Sequence, residues 1–299
     1  MTGQEGVVLL YTLAVAAACA IALERWLQRR FSRRKAVTCA IVWTLAVCLP
    51  LAWEFFGLSA ELLGLLGTID VPSLDVELSS LSALSPPSDF AGGLIFALPL
   101  GAALLVFSRR SRTRTSVPWW GAAYGAIVVL TMTAAAELVI TPALLWLLVG
   151  GALTAVSGGV GAAIAELIAD RRVTARGIAI GVLAGACGAA TATAWLTWQW
   201  AIVIGVAGGA IGHLLGKAIS RRRTDAESAR LGSALVAGPA VAALLLGLFG
   251  LGSGLVHTGS PAWFIDQATG VALALAWALG VAWALRLTIL RRASEPPPR

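Results

Sequence analysis

Charge is what this sequence has least of. Of 299 residues only 12% are Asp, Glu, Lys or Arg, against 58% apolar, and the mean hydropathy is +0.85. Soluble chains carry about a quarter charged residues, so a soluble catalytic domain is excluded, as is a disordered chain. Imidazole is as scarce: His213 and His257 are the only histidines, which leaves no His-rich metal site. Cys19, Cys39, Cys48 and Cys187 lie in apolar stretches without a C-x-x-C pair. They read as small buried hydrophobes, not as metal ligands or the disulfides of a secreted scaffold. No nucleophile–base pairing or phosphate loop is present, so the chain is not read as an enzyme and no cofactor is expected. The N-terminus lacks a basic n-region and a small-residue cleavage site, so it reads as mature sequence.

What is abundant points to a bilayer. Glycine occurs 33 times and tryptophan 12 times, the first favoured in membrane helices and the second at membrane interfaces. Crossing the hydrocarbon takes roughly 20 mostly apolar residues. Nine stretches meet or approach that length: 7–23, 36–57, 90–108, 118–138, 142–168, 177–196, 200–219, 231–252 and 263–290. The expected fold class is all-α, a polytopic bundle of about nine transmembrane helices in the cell membrane. One multi-pass domain covers 1–299, with an extracytoplasmic loop at 58–88 and a short tail at 293–299.

All 22 Lys and Arg fall within 25–35, 109–114, 171–176, 217–230 and 286–299. These are alternate connections and the C-terminus. The positive-inside rule places them in the cytoplasm, with the N-terminus outside. A net charge of +7 and a pI near 10.0 then reflect insertion and attraction to anionic lipid, not nucleic-acid binding. The loop 58–88 carries Glu61, Asp70, Asp75 and Glu77 and no basic residue. An acidic vestibule would concentrate cations, although exclusion of basic residues from outer loops accounts for the pattern more simply.

Within the spans, Gly177, Gly181 and Gly185 recur every fourth residue, and Gly205, Gly208, Gly209, Gly212 and Gly216 line the next span. Such stripes let helix backbones approach closely, so these glycines are expected to pack helices. Asp89, Glu137, Glu166 and Asp266 are the acids at or near span ends. An acid in a bilayer is a functional candidate by default. Asp89 directly precedes a span, where it fits both a helix cap and a substrate role. Glu137 lies near the outer surface and is a pathway candidate. Glu166, beside Arg171 and Arg172, reads as half of a solvated ion pair. His213 reads as structural.

The string Asp89-Phe90-Ala91-Gly92-Gly93 opening a span, followed by an apolar helix ending in Arg109-Arg110, resembles the ammonium transporter family. Similar pieces follow in order on both sides: Glu24-Arg25, Trp43 and Pro50 upstream; Pro118, Glu166, the Gly177, Gly181, Gly185 helix and Gly247-Leu248-Phe249-Gly250 downstream. The resemblance implies a trimer of subunits, each enclosing a narrow hydrophobic pore for ammonia or ammonium. The family has eleven spans, N-terminus outside and C-terminus inside. Aligned so, the chain starts at the equivalent of the third span, and the parity matches the topology read from the charges.

The departures from the family are chemical. Its pore holds two facing histidines, which here fall on Ala97 and on Leu235. The aromatic gates fall on Leu10 and Ala134, the outer Trp that contacts the cation on Phe56, and the Ser that helps bind it on Leu138. A V-T-P turn becomes Ala189-Ala190-Thr191. Of the recruiting and relaying residues Asp89 alone stays. Asp89, Phe56, Ala97, Glu137 and Leu235 are therefore the pathway candidates, with no metal. The expectation is a transporter fold with weakened or absent ammonium-specific chemistry, either passing a small neutral solute or serving as a non-conducting sensor, scaffold or subunit.

Overall fold

The computed structural model describes residues 3–28, 31–51, 89, 92–107, 122–123, 125–127, 129–130, 144–192, 196–221, 225–251 and 254–290. Every element among them is helical. In chain order they are α1 (Gly3–Gln28), α2 (Arg33–Leu51), α3 (Gly93–Phe107), α4 (Leu144–Asp170), α5 (Ala175–Ala192), α6 (Trp198–Ser220), α7 (Ala226–Phe249), the single turn α8 (Leu255–Thr258) and α9 (Ala262–Leu285). Seven of these helices are long and apolar enough to cross a membrane, and α3 is a shorter apolar helix. The expected span at 118–138 lies largely outside the described residues, with helical backbone at 122–123, 125–127 and 129–130. The expected loop at 58–88 and tail at 293–299 lie outside them. Helix α7 starts five residues before the expected span, because the Asp225 carboxylate caps it: Oδ1 accepts from Ser228 N at 3.2 Å.

The apolar runs become helices because a backbone in hydrocarbon must satisfy its own hydrogen bonds. Helices α4, α5, α6 and α7 form a close-packed group, α3 joins α7 and α9, and α1 pairs with α2 at the side. In α9 the buried residues are Gln267, Gly270, Ala274, Ala278, Ala282 and Leu285, a stripe of mainly small side chains at three- and four-residue spacing. Its Ile265, Leu273 and Trp283 point outward and are exposed, while Trp277, also exposed, reaches α2, its Nε1 donating to the Ala46 carbonyl at 2.8 Å. Small-in and bulky-out is the arrangement of a helix that meets lipid on one side and another helix on the other.

One end of the bundle is stitched by polar side chains. Trp26 Nε1 at the end of α1 donates to Ser228 Oγ at the start of α7, at 3.1 Å. Arg176 at the start of α5 pairs with Glu227 of α7, and Lys217 near the end of α6 pairs with Asp170 at the end of α4. Arg286 donates to the carbonyl of Val106 near the end of α3, at 2.8 Å. Basic residues from four of the five clusters border these ends (Arg25, Arg172, Lys217 and Arg286). The described helices thus carry their basic connections at one shared end, as alternating spans require.

Candidate functional site

The N-terminal end of α3 holds the retained acid. Asp89 is 5% exposed, and its Oδ2 accepts from the backbone N of Leu94 at 2.9 Å and of Ile95 at 3.0 Å. A carboxylate there satisfies amides that the first turn leaves open and meets the positive end of the helix dipole. The turn is possible because Gly92 adopts φ +83, a left-handed conformation that glycine enters without a Cβ penalty. Any Cβ on Gly92 would also strike the Phe96 ring. The first five residues of α3, Gly93–Ala97, wind as a π-turn, a local widening that recurs at functional sites. Against Gly93 stands the Thr191 hydroxyl from the end of α5. The second carboxylate oxygen, Asp89 Oδ1, is buried and makes no hydrogen bond of ordinary geometry among the described residues, although the Thr191 hydroxyl stands close to the carboxyl.

Deeper along α3 come Ala97 and, one turn on, Gly101. Ala97 is half-buried and packs on the central core. Leu235, on α7, is 8% exposed and belongs to the same core. The two helices cross where Gly101 meets Gly232: a Cβ built on Gly101 would lie 2.6 Å from the Gly232 carbonyl and 2.8 Å from Leu235 Cβ, and one on Gly232 would lie 2.9 Å from the Gly101 carbonyl. Glycine at both positions lets the backbones approach this closely. Ala97 and Leu235 therefore sit within about a turn of one helix crossing and offer it no polar side chain. Pro239, inside α7, has no N–H, so the Leu235 carbonyl lacks its usual helical donor. That backbone acceptor was not singled out in the sequence, although an interior proline four residues beyond a candidate site is its signature.

Among the remaining expected residues, Phe56 and Glu137, with Ala134 and Leu138, lie outside the described residues. Leu10 is 67% exposed. The α5 stripe and Gly205 and Gly209 of α6 face α4, whereas Gly208, Gly212 and Gly216 of α6 lie against α7. A Cβ at Gly185 would lie 2.9 Å from Ala155 Cα, one at Gly205 3.0 Å from Gly158 N, and one at Gly209 2.9 Å from Gly158 Cα; one at Gly181 would strike the Gly158 carbonyl and Ala162. Gly158, which the sequence reading passed over, is the meeting point of α4, α5 and α6. Gly177 differs from the others: what lies against it is the carboxylate of Glu166.

Glu166 itself corrects the expectation of a solvated ion pair. Arg171 and Arg172 are exposed, whereas Glu166 is 3% exposed and turns inward. Its Oε2 accepts from Thr174 N at 2.7 Å and its Oε1 from the Thr174 hydroxyl at 2.8 Å. His213, expected to be structural and without a visible partner, faces it from α6 with Nδ1 4.0 Å from Glu166 Oε1.

No protein-family model and no curated protein matches the chain. Solved structures do. A Candida albicans Mep2 mutant superposes with TM-score 0.72 at 17% identity, over 91% of this chain and 62% of that one. Saccharomyces cerevisiae Mep2 gives TM-score 0.66 at 20% identity, over 86% and 59%. A protein titled Sensor Amt Protein gives 0.59 at 20%, over 72% and 57%. This chain has the ammonium transporter fold. It spans about three fifths of the length of the solved chains it matches. On that fold, the region where the sequence resemblance puts the paired histidines is the α3–α7 crossing, and what stands there is Ala97, Leu235 and two glycines.

Proposed function

We propose that this chain passes ammonia, or a related small neutral solute, through a histidine-free pore of ammonium-transporter fold. The observation that carries the reading is the apolar pair Ala97 and Leu235 at the α3–α7 crossing. Ammonium entering such a passage must lose its proton or find replacements for its hydration. Neither an alanine methyl nor a leucine side chain accepts or relays a proton. A neutral solute pays only the smaller penalty of burying a dipole. In this reading Asp89 marks the outer mouth of the pathway, and Phe56 and Glu137 remain pathway candidates from the sequence. The protein works in the cell membrane as a homotrimer, by the resemblance, with its basic connections in the cytoplasm.

A second reading, a non-conducting pseudo-transporter acting as a sensor, scaffold or subunit, is favoured by the closeness of the Gly101–Gly232 approach, which leaves little room between α3 and α7. One measurement separates the two. The protein is reconstituted into proteoliposomes and internal pH is followed after an ammonium pulse, beside empty vesicles and Ala97→Trp. The expected result is a pH rise faster than in empty vesicles that Ala97→Trp abolishes. A rise no faster than in empty vesicles, with the protein folded, defeats the pore and leaves the sensor or scaffold.

A further inference from the structure

At the stitched end of the bundle lies a cluster of titratable side chains that the pathway does not use, with His213 and Glu166 buried and Asp170 at the exposed edge. His213 of α6 is 6% exposed. Its Nδ1 is 4.0 Å from Glu166 Oε1 and its Nε2 is 3.8 Å from Asp170 Oδ2, two carboxylates one turn apart on α4. Both gaps exceed hydrogen-bond length, and Nε2 is buried without a hydrogen-bond partner among the described residues. A buried polar atom left unpaired calls for an explanation.

The two carboxylates are already held from other sides. Glu166 is gripped by Thr174, whose hydroxyl oxygen also accepts from Gly177 N at 3.0 Å. The acid thereby fixes the first turn of α5. Asp170 Oδ1 takes Lys217, so Oδ2 is the oxygen left toward the imidazole. Each carboxylate oxygen has two lone pairs, so both acids can accept a further donor without releasing Thr174 or Lys217. The groups acting on His213 are Glu166 and Asp170 from α4, Arg230 from α7 and Lys217 from α6 itself, with Arg172 of the α4–α5 turn acting on Asp170. Helix α5 meets the cluster through Gly177 and the preceding Thr174.

A neutral imidazole has one N–H and can serve at most one of the two acids, while an imidazolium has two. We propose that His213 is a proton-operated latch between α4 and α6. On protonation it donates from Nδ1 to Glu166 and from Nε2 to Asp170, and the two gaps close by roughly 1 Å to charge-assisted hydrogen-bond length. Acidification at this end of the bundle then tightens α4 against α6 and, through Glu166 and Thr174, against the start of α5. Imidazole is the side chain whose charge changes in the physiological pH range. The latch does not depend on whether the pore conducts.

The test is hydrogen exchange by mass spectrometry on the full chain in lipid nanodiscs at about pH 5.5 and about pH 8, corrected for intrinsic rates. Two hydrogen bonds to charged groups predict backbone exchange at 166–177 slower by at least about tenfold in the wild type than in His213→Gln at the lower pH, and no difference at the higher. Glu166→Gln, which keeps the Asp170 bond and an uncharged acceptor, is expected to lose part of that protection. Exchange of the imidazole C2–H of His213, read against the exposed His257, is expected to titrate with the same midpoint in the wild type. This last arm needs no variant to fold. The same pH response in His213→Gln, wild-type protection equal at both pH values, or a ring that does not titrate across this range would each overturn the latch.

Discussion

Asp89 spends one oxygen on two helix amides, and among the described residues the other is buried without a hydrogen bond of ordinary geometry. Two roles are therefore separable at one residue. Asp89→Ala removes the cap and strands two buried N–H groups, so a loss of about 1–3 kcal/mol of stability is expected, read as a lower midpoint of thermal unfolding in detergent. Asp89→Asn keeps an oxygen for Leu94 and Ile95 but no charge, and its unfolding midpoint is expected to stay closer to the wild type. Solute flux tells whether the charge matters beyond the cap: an Asn variant that folds and does not conduct assigns Asp89 to the pathway, and one that conducts normally confines it to capping. The cap was legible in the sequence because a carboxylate immediately before an apolar run has few other local partners. Glu166 was misread for the converse reason. Its sequence neighbours Arg171 and Arg172 suggested a pair, while its hydrogen-bond partner is Thr174, across the turn, and His213, on the next helix but one, faces it at 4.0 Å. Only the fold brings those together.

At the scale of helices, what holds α4, α5 and α6 is the absence of side chains at their crossings. A Cβ at Gly209 would lie within 3 Å of the backbone of Gly158, whereas one at Gly280, on α9, meets nothing within 4 Å. The two glycines thus give opposite expectations. Gly209→Ala overpacks the α4–α6 crossing and is expected to cost about 1–3 kcal/mol. Gly280→Ala, on an open face, is expected to be neutral or to gain up to about 1 kcal/mol from helix propensity. Thermal unfolding of both variants, side by side, checks the contrast, and equal effects would show that glycine spacing is not what sets the packing. The stripes on α5 and α6 were readable from their four-residue spacing. Gly158 was not, since a glycine among several in α4 carries no mark of which helices it will meet. The Gly101–Gly232 crossing escaped for the same reason: one glycine on each of two helices makes no stripe in either.

For the molecule as a whole, the helical class followed from apolar run length alone, because a bilayer permits few other backbone solutions; of the nine expected spans, seven are long crossing helices among the described residues and α3 is a shorter one. Which way the bundle faces is a separate matter, and the charges decide it. Trp26, Arg176 and Glu227 join the ends of α1, α5 and α7, Lys217 and Asp170 those of α6 and α4, and Arg286 those of α9 and α3; the short α4–α5 turn and the contact of Leu105 with Gly232 bring the three groups together, so these ends lie on one side of the membrane. Four of the basic clusters contribute residues near them. Turning the bundle over would carry all of those clusters across the bilayer, against the positive-inside bias. The exposed turn between α4 and α5 should therefore be cytoplasmic, and the exposed segment between α8 and α9 should be outside. The four native cysteines are buried, so a surface thiol introduced at Arg172 or Ser260, both exposed, can be followed in the otherwise unaltered chain. A membrane-impermeant maleimide is expected to label Ser260→Cys in intact cells and Arg172→Cys only after the membrane is opened. Labelling in the reverse order would invert the bundle and move Asp89 to the cytoplasmic mouth. It would also place His213 and its two carboxylates on the outer side, where they would sense external instead of cytoplasmic acid.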